Sequence, residues 1–189
     1  MRLAAKRVKT YTQAMSFRAP VRDLGFTLME VAGLGRLPDA PDADTVEAVL
    51  QGAADLADNV LAPLNRSGDV QGARYENGRV TSPDGFPAAY RAFAEGGWNG
   101  LAGDPRWGGQ GLPKALEAAV FETVHAANMA FGLCPMLTQA AIEALQAHGT
   151  EGQKALYLPR MVSGEWTGAH SLVSMPLCTT CTRSGSTRG

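Results

Sequence analysis

Apolar residues recur at helical spacing through most of the first 164 residues of the chain. The stretch 45–64 shows this most clearly, with apolar side chains at Val46, Val49, Leu50, Ala53, Leu56, Ala57, Val60, Leu61 and Leu64. Spacings of three, four and seven residues place these side chains on one face of a helix. The pattern predicts an amphipathic helix, and Asp44 followed by Glu47 resembles a capping pair at its start.

The same period predicts five further helices, over 24–34, 86–98, 114–131, 135–149 and 150–164. Their boundary signals are Gly96 and Gly97 as a stop, Pro113 in a first turn, Gly149 after a last turn, and a Thr150–Gln153 capping box. Pro159 is expected to bend or end the last helix. Six helices joined by short connections predict an all-α domain over residues 17–164.

The segments between the helices carry turn-forming residues instead of a helical period. Residues 38–44 and the glycine-rich stretch 100–113 are predicted to be loops. Residues 65–85 are predicted to be irregular, with a small hairpin at Glu76-Asn77-Gly78. A strand-like pattern begins only at residue 165, so residues 165–172 are expected to start a β-structure.

The composition changes after residue 172. Residues 170–189 hold no Asp or Glu, eight Ser or Thr, and two of the three cysteines. A segment of this composition buries little apolar surface, so residues 173–189 are predicted to be a disordered tail.

Composition and charge exclude several classes of protein. The 189 residues are 45% hydrophobic and 19% charged with a net charge of −1, which gives no global attraction to nucleic acid or anionic lipid. The sequence has no apolar run near the roughly 18 residues of a membrane span. Three cysteines, an odd number, indicate a reducing compartment, and we expect a cytoplasmic protein.

Residues 1–16 form a basic extension. MRLAAKRVKTYTQA carries four basic residues and no acidic one, and no apolar segment follows it, which argues against a secretory signal. A basic amphipathic transit segment is one interpretation. An over-extended start, with Met15 as the first residue, is the interpretation that we favour.

Few residues suggest chemistry by themselves. Cys178 and Cys181 form a Cys-x-x-Cys, but no helix is predicted after them to lower a thiol pKa and no second cysteine pair exists for zinc. An incidental tail is the favoured interpretation over a redox or metal role. His125 and His148 lie on predicted helices, where packing or capping is the usual role. No metal site is predicted.

The sequence Trp107-Gly-Gly-Gln-Gly111 invites comparison with a phosphate-binding loop. It lacks the Lys-Ser/Thr of a P-loop and follows no strand. As a tight loop before a helix, it could still expose backbone N–H groups to a ligand. A simple turn between two helices is an equally good interpretation.

The order of segments resembles the N-terminal helical domain of the acyl-CoA dehydrogenase family. The resemblance is carried by APVRDLGFTLMEV, VLAPLNRSGD, GGWNGLAGDPRWGGQGLP and AANMAFGLCPMLTQAAIEALQAHGTEGQKALYLPRMVSGEWTG, which together span about residues 17–169. The early APVRD and the APLNRSGD phrases are similar to the longer branch of that family.

The resemblance implies a reaction and a domain plan. In the family a carboxylate base removes the α-proton of an acyl-CoA thioester, and the β-hydride passes to FAD to give a trans-2-enoyl-CoA. An N-terminal helical domain, a middle β-domain and a C-terminal helical domain enclose the flavin, and the base is a Glu of the last domain. Acyl-CoA, electron-transfer flavoprotein and a homo-oligomeric assembly are the implied partners.

After GEWTG this chain departs from the family pattern. The Thr-Glu-Pro and Gly-Ser-Asp groups that hold the flavin in the family are absent. Only Ser171 and Leu172 still fit the strand that leads into them, so the resemblance implies these two as the candidate flavin contacts. A frameshift or premature end would explain a non-family tail over 173–189. The sequence therefore predicts a fragment of a flavoenzyme that lacks its catalytic base, does not retain FAD and is inactive alone.

The resemblance also implies a lining for the acyl pocket. Its residues are Trp107, Gly108 and Gly109 of the loop, with Phe131, Leu133 and Met136 along the acyl tail. A structural role explains the loop residues equally well, and core packing is the favoured interpretation of the last three. Glu117, Glu122 and Glu143 are predicted to lie on solvated helix faces. A helical scaffold module that binds a partner, and a thiol protein using Cys178 and Cys181, remain alternatives.

Overall fold

The structure, a computed structural model, describes the backbone of residues 17–171 and 178–183 and the side chains of residues 17–169. Its α-helices are α1 Val21–Phe26, α2 Ala43–Leu56, α3 Ala62–Gln71, α4 Phe86–Glu95, α5 Lys114–Ala127, α6 Met129–His148 and α7 Glu151–Val162. Its strands are β1 Arg74–Glu76, β2 Arg79–Thr81, β3 Trp166–Ser171 and β4 Cys178–Arg183. The predicted all-α domain is confirmed. None of the described helices combines the length and apolar character that a membrane span requires.

A π-helical turn joins α2 directly to α3. The turn covers Ala57–Leu61, and Pro63, which has no N–H to donate to the preceding turn, follows it. The predicted helix therefore begins two residues before Thr45 and continues to Gln71. Asp42 caps it, since its carboxylate accepts the Thr45 N–H at 2.8 Å. The predicted Asp44–Glu47 capping pair is therefore wrong, because Asp42 is the N-cap residue.

The prediction that residues 65–85 are irregular is wrong for 65–71 and confirmed for the hairpin. Gly68 lies inside α3, where a Cβ would approach the Phe86 ring at 2.5 Å, so the glycine permits α3 to pack closely on the start of α4. A tertiary contact thus overrides the local loop signal. In the hairpin, Asn77 and Gly78 both have positive φ, which is the two-residue turn that the Asn-Gly pair predicts.

The boundary between α5 and α6 lies at Asn128, several residues before the predicted break. Asn128 has an extended backbone, and its side chain accepts the Phe131 N–H at 3.1 Å as an N-cap. Its amide also donates to the Leu61 carbonyl, at the end of the π-helical turn, at 3.1 Å. Pro135, which the sequence places at the start of a helix, lies inside α6.

The last helix, α7, begins as predicted but continues beyond its internal proline. Thr150 and Gln153 form the predicted capping box, which is confirmed. Pro159 lies inside α7 and does not end it, because the helix continues to Val162. Gly149 ends α6 with φ of −69°, so it does not adopt the left-handed conformation typical of that position.

Residues Cys178–Arg183 form strand β4, although the sequence predicts a disordered tail over 173–189. Residues Cys178–Arg183 pair antiparallel with β3, with Ser171 opposite Cys178 and Trp166 opposite Arg183. This segment lacks the alternation of apolar and polar residues that would predict a strand. Its strand conformation is accompanied by pairing with β3. Residues 1–16, Leu172 and the rest of the tail lie outside the described residues.

Buried apolar side chains form connected clusters around α6 and α5. An aromatic cluster of Phe93, Phe121 and Phe131 joins α4, α5 and α6, with ring centroids 5.8 to 6.2 Å apart. A second cluster joins α1, α2 and α5, and a third packs α7 against α6. Each of these clusters therefore contains residues of α5 or α6.

We expect Asn128→Ala to lower the free energy of unfolding by about 2 kcal/mol, because it leaves a buried N–H and a buried carbonyl unpaired. Urea unfolding followed by circular dichroism measures the change. Thr150→Ala is the control, since it removes an exposed cap worth about 1 kcal/mol. An effect of Asn128→Ala no larger than that of the control would show that the bond to Leu61 contributes little.

Candidate functional site

The glycine-rich loop between α4 and α5 is folded back on itself by backbone hydrogen bonds. Gln110 N–H donates to the Gly100 carbonyl at 2.8 Å, and Gly111 N–H donates to the Gly103 carbonyl at 2.9 Å. Gly109 lies so close to Gly103 that a Cβ would overlap the Gly103 backbone. Glycine at 109 is therefore required by the fold of the loop itself.

These bonds remove the donors that an anion site would need. The N–H groups of Gly108 and Gly109 donate to the carbonyls of Pro105 and Asp104, each at 3.1 Å. The consecutive N–H groups from 108 to 112 are all occupied in this way. The interpretation of the loop as a cradle of exposed N–H groups is therefore wrong, and the interpretation as a tight turn between helices describes it.

Trp107 connects the loop to the last two long helices. Its half-buried ring packs on the cluster that contains Ala141, Met161 and Val162. The guanidinium of Arg106 lies 5.9 Å from the ring centroid and, on its other side, forms a salt bridge with Asp104 at 2.7 Å. Hydrogen bonding to Asp104 raises the pKa of Arg106. The loop is thus held against α6 and α7 by an aromatic contact.

The three predicted acyl-tail residues of α6 do not share one surface. Phe131 is 4% exposed and belongs to the aromatic core, so core packing accounts for its position. Leu133 and Met136 are 47% and 39% exposed, and of the two only Met136 lines the groove described next. Substrate binding stays a prediction for these residues and for the loop residues 107–109.

Met136 lines an open groove of about 350 Å³ between α5 and α6. The apolar part of the groove is formed by Ala118, Phe121, Met136 and Ala140. The polar part is formed by Lys114, Glu117, His125, Gln139 and Glu143. An apolar channel with polar groups at its margin has the composition of a small-molecule site.

A charged cluster closes one end of this groove. Lys114 Nζ lies 2.8 Å from Glu117 Oε2 and 2.6 Å from Glu143 Oε1. Burial acts to lower the pKa of Lys114, but its bonds to the two carboxylates outweigh burial and raise it. The prediction of a solvated Glu117 is wrong, because Glu117 is buried beneath Lys114 and accepts the Ala102 N–H at 3.4 Å. Glu122 and Glu143 are exposed, as predicted.

His125 and His148 lie on helices, as predicted. His125 Nε2 lies 3.3 Å from the Gly132 carbonyl across the α5–α6 junction, and its ring packs on the edge of Phe121. His148 lies in the last turn of α6. No cluster of three or more metal-ligating side chains occurs among residues with described side chains.

A network that the sequence does not reveal ties the loop and β3 to α6. Gln139 Nε2 donates to the Asn99 carbonyl at 2.6 Å, and Thr138 Oγ1 accepts the Gly168 N–H at 3.2 Å. The buried amide of Asn99 makes no hydrogen bond to the described residues. Tyr90 donates to the Gly164 carbonyl at 3.1 Å. No periodicity or motif marks these residues, because their partners lie far apart in sequence.

The predictions for the flavin contacts and for the cysteine pair fall at the edge of the described residues. Ser171 is the last residue of β3, and Leu172, the other predicted flavin contact, lies outside the described residues. Cys178 begins β4, so its backbone does not lie at a helix N-terminus of the kind that activates a redox thiol.

Together these features define an all-helical domain with a closed glycine-rich loop, an open apolar groove and an outgoing strand. A profile of the N-terminal domain of acyl-CoA dehydrogenases matches residues 43–165. This range begins with α2 and ends one residue before β3. The chain therefore belongs to the acyl-CoA dehydrogenase family.

Two curated relatives agree with this assignment. The 3-methylmercaptopropionyl-CoA dehydrogenase of Ruegeria pomeroyi is 39% identical over 163 residues, which cover 84% of this chain and 28% of the relative. A butyryl-CoA dehydrogenase of Syntrophomonas wolfei is 28% identical over 161 residues, which cover 80% of this chain and 26% of the relative. The chain thus spans little more than a quarter of the length of these relatives.

Gly109→Ala is expected to destabilise the domain by about 1–3 kcal/mol, since the added methyl group forces the loop apart at Gly103. Gly152→Ala is the matched control, because a Cβ at that position in α7 meets no atom within 4 Å. Urea unfolding of both variants gives the comparison. Equal stability of the two variants would contradict the packing argument.

The pKa of Tyr90 predicts an alkaline loss of stability. Burial raises the pKa of Tyr90 from the ordinary 10.0 to about 12. Between these values the unfolded chain releases the phenolic proton and the folded chain retains it, so the free energy of unfolding falls as the pH rises. We expect the wild-type protein to lose stability over this range relative to Tyr90→Phe, measured by urea unfolding at each pH. Parallel curves would contradict the assignment.

Proposed function

We propose that this chain is the N-terminal helical domain of a flavin-dependent acyl-CoA dehydrogenase and that its α5–α6 groove forms one wall of the acyl pocket. The observation that carries the proposal is the match of residues 43–165 to the family, which coincides with the unit from α2 to the start of β3. The relatives are named as dehydrogenases of acyl-CoA thioesters. The whole enzyme would abstract the α-proton and transfer the β-hydride to FAD.

The described residues do not fit a complete flavin site. The loop donors from 108 to 112 are bonded within the loop, and β3 is joined by one described neighbouring strand. FAD would supply the hydride acceptor in the whole enzyme. On this chain we expect no stable FAD, and the catalytic carboxylate is expected to lie in another domain of the family plan.

The groove and the loop suit a supporting role in binding. Phe121, Met136 and Ala140 offer an apolar surface to an acyl chain, and burial of a chain there would be favoured by about 25 cal/mol per Å² of apolar area. Lys114 is already neutralised by Glu117 and Glu143. The groove therefore favours an uncharged tail over the phosphates of the CoA group.

We also propose the domain boundaries that the sequence predicts. Residues 17–164 form the helical domain, 165–172 begin the middle β-domain, 173–189 are outside the family pattern and 1–16 precede it. Sequencing the gene through codon 170 and translating all three frames tests whether a frameshift produced residues 173–189. A downstream frame that encodes Thr-Glu-Pro and a later catalytic Glu would support a frameshift, and an intact reading frame that ends at Gly189 would contradict it.

Acyl-CoA substrate, electron-transfer flavoprotein as electron acceptor, a homo-oligomeric assembly and a cytoplasmic location are proposed for the whole enzyme. The exposed apolar side chains of α6 support an additional expectation. Met129, Leu133 and Met136 are all more than a third exposed, and a contiguous surface of this kind promotes association. We expect the isolated chain to self-associate.

A domain exchange tests the proposed function directly. Residues 17–169 would replace the corresponding segment of the Ruegeria pomeroyi relative, and FAD content and acyl-CoA oxidation would be measured. We expect the chimera to bind FAD and turn over substrate, and the 189-residue chain to do neither. A soluble chimera that binds FAD without turnover would contradict the proposal.

Within this chimera, Met136→Glu is expected to lower kcat/KM at least tenfold, because it places a charge in the apolar groove. Met129→Glu is the matched control, since Met129 is an exposed methionine of the same helix that does not line the groove. Equal activities of the two variants would rule out the α5–α6 groove as the acyl wall. FAD absorbance of both variants verifies that each is folded.

A further inference from the structure

A second groove runs between α1 and α2, on surface that the proposed acyl site does not use. One cavity of about 280 Å³ is lined by the apolar residues Val21, Gly25, Phe26, Met29, Val46 and Leu50. A neighbouring cavity of about 410 Å³ extends from it toward Asp58. The two cavities share Val21 and Arg22, and we refer to them together as the α1–α2 groove.

The margin of the α1–α2 groove exposes large apolar side chains. Phe26 is 62% exposed at the groove, and Val31, just beyond it, is 71% exposed. At Gly25 the two helices lie close together, since a Cβ there would be in van der Waals contact with Leu50 at 3.8 Å. The groove therefore offers apolar surface that no described segment covers.

The surroundings of the α1–α2 groove are acidic. Residues 17–61 contain eight Asp or Glu and three Arg. Glu47, Asp23 and Asp58 line the two cavities directly. Arg22 also lines both, and Arg18 is paired with Asp58 at 3.1 Å. After these cations are counted, the surface retains an excess of negative charge that favours a basic occupant.

The first 16 residues of this chain have the complementary chemistry. They contain four basic residues and no acidic one. Their apolar residues Ala4, Val8, Tyr11 and Met15 recur at spacings of four, three and four, which is the period of one helix face. The basic residues Arg2, Lys6, Arg7 and Lys9 are interspersed with these apolar residues along the segment.

The connection between this segment and the groove is short. Ala19 N–H donates to Asp58 Oδ1 at 3.0 Å, and the Arg18 guanidinium binds the same carboxylate. Ala19 and Asp58 both line the second cavity. Residues 1–16 therefore leave the described structure at one end of the groove, and this tether gives them a high effective concentration there.

We propose that residues 1–16 dock into the α1–α2 groove, with their apolar stripe on its floor and their basic residues beside Glu47 and Asp23. The segment then covers the exposed surface around Phe26. This inference concerns the chain that begins at Met1. It uses no residue of the α5–α6 groove, so it does not depend on the acyl-CoA dehydrogenase activity.

Carbodiimide cross-linking of the full chain, followed by peptide mass spectrometry, tests the contact. The reagent joins a lysine to a carboxylate only where the two already touch. We expect Lys6 and Lys9 to cross-link within one chain to Glu47 or Asp23. Cross-links spread equally over Glu76 and Glu122, which are distant from the groove, would overturn the proposal, as would cross-links found only between two chains.

Phe26→Ser tests the apolar part of the contact. It should reduce the Lys6 and Lys9 cross-links at least fivefold, while Tyr75→Ser, which removes an equally exposed aromatic of the β1–β2 hairpin, should leave them unchanged. Both residues are exposed, so circular dichroism should show intact helices in each variant. Equal yields in the two variants would overturn the proposal.

A chain that begins at Met15 supplies an independent measurement. Its loss of residues 1–14 should accelerate hydrogen exchange at the α1 amides relative to the full chain. Unchanged hydrogen exchange of α1 would overturn the proposal. Binding of the full chain to vesicles containing 30% phosphatidylserine, with Lys6 and Lys9 not cross-linked to the groove, would also overturn it and would identify the segment as membrane-binding.

Discussion

The architecture of the domain depends on the side chain of Asn128. This residue is 1% exposed and bonds to both Phe131 N–H and the Leu61 carbonyl. The first bond starts α6 in a new direction directly after α5. The second holds the end of the π-helical turn between α2 and α3. Because a buried amide must satisfy its donors and acceptors inside the protein, Asn128 ties the α5–α6 junction to the α2–α3 junction.

α6 then carries this geometry to both parts of the candidate site. Gln139 and Thr138 are consecutive, and they point to different neighbours. Gln139 holds the glycine-rich loop through Asn99, and Thr138 holds β3 through Gly168. A Cβ at Gly168 would lie 2.6 Å from the Ala141 methyl group, so the strand rests almost directly on the helix. A shift of α6 would therefore move the loop and the strand together.

The sequence predicts those features whose cause is local. Helical period, the Thr150–Gln153 capping box and the Asn77-Gly78 turn are each determined by residues within one or two turns, and all three are confirmed. The sequence does not predict features that depend on residues far apart in the chain or on tertiary packing. Gly68 stays helical because it meets Phe86, and Glu117 is buried because Lys114 covers it.

The candidate site illustrates the same division. Its glycines were recognisable as loop formers, but nothing local shows that Gly109 packs on Gly103 or that the loop donors are already used. The resemblance to a family placed Met136 beside a ligand, and the structure places it in a groove. The same resemblance grouped it with Phe131, which is buried elsewhere. Helical spacing alone could not separate the two positions, because both are apolar residues of one helix.

The arrangement of charge limits what this domain can contribute to a reaction. Lys114, the cation at the mouth of the α5–α6 groove, is bonded to two carboxylates, and the loop N–H groups are bonded to carbonyls. Neither is therefore poised to stabilise a developing negative charge, which is the usual electrostatic contribution to acyl chemistry. What remains is shape and apolar surface, held rigidly by buried hydrogen bonds. These properties suit the proposed role of orienting an acyl chain, and on that proposal the base and the hydride acceptor lie outside the described residues.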